Sequence, residues 1–228
     1  MYVPPQYQGN PESALAVVRA HPLATLTTNA TPVPHATHLP LVIPPDTDLL
    51  LSDGPQDLRG HRLIGHLNRA NPHWAALAEA TDGTPALAIF SGPGSYLSPT
   101  VYRRVPAAPT WNFVSVHIRG TLRVLPQGQE TLDVVRRTVE ELEGRFGLGW
   151  DMTDSLDYFR RIVPGVGAFE LHVEQVDGMF KLSQEQPEEV RDRAVRHFGP
   201  GSKGAHPELS CWMARAAAGH IRTHGGER

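Results

Sequence analysis

Twelve histidines share this 228-residue chain with a single cysteine, Cys211. Imidazole titrates near neutral pH and is the commonest metal ligand, so histidine is the first place to look for chemistry. His61, His66 and His73 come nearest to a cluster, with His35 and His38 upstream. They fit no zinc-protease pattern, and no Asp or Glu stands beside them at a zinc-site spacing. On a strand His35 and His38 face opposite sides, which makes them a poor chelating pair. For any one of these histidines the plain alternative is a solvated or hydrogen-bonded side chain.

Two further stretches carry chemistry-bearing residues. Tyr96-Leu97-Ser98-Pro99 is followed by Pro109-Thr110-Trp111-Asn112-Phe113. Aromatic rings beside small hydroxyl and amide groups can line a flat cofactor pocket. The same spacing also suits Trp111 and Phe113 in a barrel core with Asn112 in a turn. Lys181-Leu182-Ser183-Gln184 stands ahead of a helix start, where Lys and Ser can hold an anion or where the segment simply caps the helix. Gly92-Pro93-Gly94 reads as a turn rather than a dinucleotide fingerprint, and there is neither a phosphate-binding loop nor a GxSxG. Cys211, between Ser210 and Trp212 on an amphipathic helix, reads as a buried and inert thiol.

The elements that must position these residues are mostly strands. A first helix is signalled by Asn10 as cap, Pro11 at the first helical position and Glu12 in the first turn, running to Ala20. Short strands are expected over Leu23–Thr28, Val33–Ile43, Asp48–Leu51, Leu63–Asn68 and Pro85–Phe90, the last broken by Ser91-Gly92-Pro93-Gly94. A short helix starts at Pro72 and carries Trp74 and Leu77. Phe113–Leu125 alternates Val114, Val116 and Ile118 against Ser115, His117 and Arg119, the clearest strand pattern in the chain. Thr131–Arg145 places Leu132, Val135, Val139 and Leu142 on one helical face. A short helix over Asp154–Ile162, a strand over Val166–Val176 and helices over Gln186–His197 and Pro207–Ile221 complete the chain. About six short strands with intermittent helices suggest a small barrel dressed with helices. Residues 1–198 read as that domain, and 199–228 as a linker with a final helix.

Composition bounds the function without naming it. Lys and Arg number 21 against 24 Asp and Glu, a formal charge of −3 with no basic block, which disfavours direct nucleic-acid binding. The 40% hydrophobic and 20% charged fractions are those of a globular protein. No apolar run approaches the ~20 residues of a membrane span, and the first residues lack a signal-peptide pattern, so a cytoplasmic protein is expected. One cysteine allows no internal disulfide and no thiolate-rich metal site.

Seven motifs in order then point to a family. Met1-Tyr2-Val3-Pro4-Pro5, His21-Pro22-Leu23-Ala24-Thr25-Leu26, Thr37-His38-Leu39-Pro40, Gly65-His66-Leu67-Asn68-Arg69-Ala70-Asn71-Pro72, Tyr96-Leu97-Ser98-Pro99, Pro109-Thr110-Trp111-Asn112-Phe113 and Lys181-Leu182-Ser183-Gln184 resemble the PaiB family of FMN-binding regulators. The resemblance implies a mainly β fold with helices, a split β-barrel of the flavin reductase and pyridoxamine-phosphate oxidase type with peripheral helices, forming a homodimer. One segment departs from the PaiB pattern. Residues 100–108 are short, Val101 stands in place of a tryptophan, and a lysine is missing, which alters a pocket wall and a phosphate contact.

The short version is similar to the piperazate synthases, PaiB-like enzymes that bind haem b. That resemblance implies cyclisation of an N-hydroxylated ornithine by N–N bond formation with loss of water. It implies His66 as the metal ligand, with Arg69, Ser98, Arg103, Arg104, Thr110, Trp111, Asn112, Lys181, Ser183 and Gln184 around the cofactor. Tyr96, His38 and His117 are the candidate proton handlers. The alternative on the same fold is an FMN-binding regulator or flavin reductase.

Overall fold

The computed structural model describes residues 1–47, 56–80 and 83–221. Helix α1 (Pro11–Ala20) begins as expected, with the Asn10 side chain accepting from the Ser13 N–H at 2.8 Å. Six strands follow: β1 (Leu23–Thr28), β2 (His35–Val42), β3 (Arg62–Asn68), β4 (Thr84–Leu97), β5 (Thr110–Val124) and β6 (Val166–Lys181). They close into a barrel in the order β1-β2-β3-β6-β5-β4. Between and after them lie α2 (Pro72–Ala78), α3 (Pro99–Tyr102), α4 (Gln129–Phe146), α5 (Leu156–Ile162), α6 (Glu188–Phe198) and α7 (Pro207–Ala217). The strand expected over Asp48–Leu51 lies outside the described residues. No helix among the described residues is long and apolar enough to cross a membrane.

The strands are not all short, because β4, β5 and β6 have 14, 15 and 16 residues. The break expected at Ser91–Gly94 is absent, and β4 runs straight through it. A Cβ on Gly92 would meet the Val114 Cβ at 3.2 Å, and one on Gly94 would meet Phe113 and Trp111 at 3.0 Å. These glycines permit the close approach of β5 rather than a turn.

The chain divides into two compact units. Unit 1 comprises Met1–Val17, Ser91–Val116 and Asp177–Arg228, and unit 2 comprises Val18–Phe90 and His117–Val176.

In unit 2, β1 pairs antiparallel with β2 in the register Leu23↔Pro40 to Thr28↔His35, and with β4 from Thr25↔Ile89 to Thr28↔Ala86. Strand β3 pairs with β6 from Arg62↔His172 to Asn68↔Val166. Helix α4 has a wider apolar stripe than its heptad-like pattern suggests. Val134, with Leu142 behind it, packs on Val42, Ile64 and Ala168 of the strands. Leu132, Val135 and Val139 face the other way, onto Phe159 and Val163. Glu170 on β6 is buried among cations. Burial alone would raise its carboxyl, but hydrogen bonds from His172 Nε2 at 3.0 Å and Arg123 Nη2 at 2.7 Å outweigh that and hold it below the usual carboxylate range.

In unit 1, Phe180 near the end of β6 packs against Trp212 of α7, with ring centroids 5.3 Å apart. Gly9 has no side chain because a Cβ there would enter the Phe180 ring. Ser210 of α7 donates to the Val195 carbonyl of α6 at 2.9 Å, tying the last two helices together. Cys211 is exposed rather than buried, since Trp212 and Met213 take the inward face of α7 instead.

Candidate functional site

The motif from Gly65 to Trp74 can be rebuilt residue by residue, and nearly all of it is structural. A Cβ on Gly65 would strike Leu41 at 2.6 Å and Phe169 at 2.8 Å, so β3 needs glycine there to lie close to its neighbours. Asn68 accepts from the Ala70 N–H at 2.8 Å and forms the turn after β3. Arg69 donates to Gln127 Oε1 at 2.5 Å, and its guanidinium lies 6.0 Å from the centre of the Trp74 ring. Asn71 caps α2 by accepting from the His73 N–H at 2.9 Å, with Pro72 at the first helical position. Trp74 fills the space that a side chain on Gly167 would need.

His73 is buried and fully satisfied. Its Nε2 is 2.9 Å from Thr28 Oγ1, its Nδ1 is 2.9 Å from Thr37 Oγ1, and its ring stacks on His35 at 5.0 Å. Burial, and then the neighbouring His35, push its imidazole below the ordinary histidine range.

That leaves His66. It sits on β3 opposite Ala168, on the same pleat face as Ile64. Its Nδ1 is buried and has no hydrogen-bond partner among the described residues. Burial alone holds its imidazole below the ordinary range, so the neutral, lone-pair form is favoured. A buried polar atom left unpaired costs about 1–3 kcal/mol, and metal coordination is one way to satisfy such a nitrogen. A neutral imidazole is the form that ligates haem iron, and Arg69, which now donates to Gln127, is a cation of the kind that meets a propionate. No group of three or more His, Cys, Asp or Glu among the described residues could hold a bare metal ion.

The other expected residues divide between the two units. In unit 2, His38 is exposed on β2 opposite Thr25, and His117 is half-buried on β5. In unit 1, Tyr96 and Trp111 are 51% and 55% exposed with ring centroids 6.4 Å apart. Trp111 is thus not barrel core. Asn112 is not in a turn either, being buried on β5, where it donates to Ser183 Oγ at 2.9 Å and to Met213 Sδ at 3.6 Å.

Ser183 is no helix cap. It adopts a left-handed backbone (φ 66°) and spends its hydroxyl on Asn112, while α6 starts at Glu188 after Pro187 with no side-chain cap. Gln184 folds back, accepting from the Leu182 N–H and donating to the Phe180 carbonyl. Ser98 caps α3 through the Thr100 N–H, Arg103 closes that helix with φ 52°, and Lys181 is half-buried at the end of β6. Arg104 and Thr110 line a cavity together with Tyr102, Glu185 and Gln186. The sequence gives no role to Tyr102, inside the shortened segment 100–108, or to Glu185, just past the Lys181–Gln184 motif, and the fold brings them to one cavity.

Acid should expose the buried histidines. With folded pKa values below the ordinary value of about 6.5, His66 and His73 take up protons first in the unfolded chain. Their contribution to stability is full above about pH 6.5 and is lost as the pH falls toward the folded values. Urea midpoints measured from about pH 8 to about pH 5.5 should fall, and fall less in His73→Gln. Equal slopes for the two proteins would contradict the assignment. Glu170 does not enter this window, since its folded pKa is depressed and its contribution is lost only in stronger acid.

The chain has recognisable relatives. A family model described as "Putative FMN-binding domain" matches residues 1–175. "Protease synthase and sporulation protein PAI 2" of Bacillus subtilis is 28% identical over 191 residues, covering 82% of this chain and 84% of that protein. An Emericella nidulans protein, "Uncharacterized protein AN0679", is 26% identical over 216 residues, covering 80% and 83%. Among solved structures, the FAD and heme binding protein from Mycobacterium smegmatis superposes with a TM-score of 0.52 at 15% identity, covering 84% of this chain and 80% of that one. The conserved hypothetical protein Rv2991 from Mycobacterium tuberculosis gives 0.52 at 12% identity, covering 82% and 95%. These two structures share the fold.

Proposed function

Since the chain belongs to the PaiB-like family of FMN-binding split-barrel proteins, we propose that this member takes haem b and is a piperazate synthase, cyclising N5-hydroxy-L-ornithine to L-piperazic acid. The observation that carries the reading is His66, the one member of its motif whose imidazole is committed to no structural bond through a buried Nδ1. The shortened segment of residues 100–108, which resembles that of the piperazate synthases, supports it. The M. smegmatis protein, which shares this fold, is named for binding both FAD and heme, and that supports the haem reading.

In the proposed reaction the α-nitrogen attacks the δ-nitrogen, the N–N bond forms, the N–O bond breaks, and the hydroxyl leaves as water. No external oxidant or reductant is needed. Bound haem would supply a Lewis-acidic iron that polarises the N–O bond. His66 would hold that iron, and Arg69 would face a propionate. A base must take the proton from the α-ammonium, and an acid must deliver one to the departing hydroxyl. His38 and His117, both in unit 2, are proposed for these transfers. Holding both nitrogens of one flexible molecule in a ring-like pose supplies much of the rate. A cytoplasmic homodimer belongs to the same reading, its dimer supported by the exposed Tyr96, Val105 and Trp111 that a lone protomer leaves in water.

The second reading is FMN. It is favoured by the family model and by the exposed Tyr96–Trp111 pair, which offers a stacking face for a flavin ring. Protein purified from cells supplied with a haem precursor and then incubated with N5-hydroxy-L-ornithine separates the two. Mass spectrometry should show loss of one water and co-elution with L-piperazic acid. Unchanged substrate, with flavin as the only retained chromophore, would return the chain to the FMN reading.

A further inference from the structure

We propose that unit 1 carries a binding site for a free α-amino acid with a short aliphatic side chain, its ammonium on Glu185 and its carboxylate on Arg104. The cavity measures about 340 Å³ and is lined by Tyr102, Arg104, Thr110, Glu185, Gln186 and the apolar stretch 106–109. Clefts that hold small molecules begin at about 300 Å³, so the volume suits a compact ligand.

The polar lining is arranged rather than merely present. Tyr7 donates its hydroxyl to Glu185 Oε2 at 3.0 Å, and Gln186 donates to Oε1 at 3.1 Å. Two fixed donors hold the carboxylate in one orientation and leave each oxygen a further lone pair for a ligand. The Tyr7 and Tyr102 phenols are both raised, by burial first and then by the neighbouring Glu185. Tyr102 is itself held firmly, its carbonyl accepting from Arg193 Nη2 at 2.7 Å.

A phosphate or a haem propionate would meet Arg104 but be repelled by Glu185, and a simple amine would meet Glu185 but be repelled by Arg104. A group carrying both signs on one carbon satisfies both. The proline and alanine wall of residues 106–109 offers no hydrogen-bonding side chain and faces an aliphatic tail. The assignment uses unit 1 alone and holds whichever cofactor the protein takes.

Calorimetric titration of the full-length protein with L-norvaline, n-butylamine and pentanoate tests it, since the last two each lack one half of the zwitterion. L-Norvaline should bind at least about tenfold more tightly than either half. Glu185→Gln and Arg104→Gln should each weaken it by about tenfold, and Glu185→Gln should erase the preference over pentanoate. Both side chains are exposed, so the variants should keep the wild-type melting temperature, and Tyr7→Phe provides a third variant with Glu185 intact but less well oriented. Equal affinity for L-norvaline and pentanoate, no binding, or wild-type affinity in the Glu185 and Arg104 variants would overturn the proposal. If Arg104→Gln loses haem while L-norvaline binding is unchanged, Arg104 serves a propionate instead. A protein that binds L-norvaline as described but retains no haem sinks the cyclase reading and leaves this one standing.

Discussion

His66→Ala should purify as a folded protein that retains less than about a hundredth of the wild-type haem, because removing even a residue that only orients a metal ligand costs 10- to 100-fold in affinity. Turnover of N5-hydroxy-L-ornithine should fall with it. The fold should survive, since the buried Nδ1 makes no hydrogen bond that the substitution could break. Thermal stability of the haem-free proteins is therefore expected to differ by no more than about 1–2 kcal/mol. Free imidazole added to the variant should restore part of the Soret absorbance by occupying the vacated position. A variant with wild-type haem content and an unshifted spectrum would remove His66 from the metal site. The comparison variant is His73→Ala, which loses bonds to Thr28 and Thr37 and should lower stability.

The second large effect is on the barrel itself. Gly120→Ala places a Cβ 1.8 Å from the His172 carbonyl oxygen and 2.9 Å from its carbon. The obstacle is backbone of β6, which cannot rotate away as a side-chain tip can. A loss of more than about 3 kcal/mol, or failure to accumulate soluble protein, is expected on urea unfolding. Gly144→Ala is the internal control. It lies in α4 with nothing within 4 Å of the added atom, so removing helical glycine should stabilise by about 0.5–1 kcal/mol. Equal responses at the two positions would mean that β5 and β6 do not approach as closely as described.

Where local chemistry dictates structure, the sequence was readable. Asn10-Pro11-Glu12 marked the start of α1, and Leu23–Thr28 is β1 to the residue. Alternation along β5 correctly put Val114, Val116 and Ile118 inward. Carried two residues further back, the same parity also puts Asn112 on the buried face. A strand started at Phe113 hides this and leaves Asn112 between pocket and turn. The misreading at Ser91–Gly94 has a different cause. Glycine and proline mark turns by their backbone freedom, but here the glycines serve a close inter-strand approach that no local pattern encodes. Ser183 shows the same limit, since its partner Asn112 is 71 residues away. The family motifs were legible, whereas the division of labour within them was not. Only the hydrogen bonds of Asn68, Asn71 and His73 show that their roles are structural, and so single out His66.

The most direct test of the central claim is the visible absorption spectrum of the wild-type protein purified from cells supplied with a haem precursor. Haem ligation through His66 predicts a strong Soret band with no flavin absorbance. Flavin bands without a Soret band would contradict it.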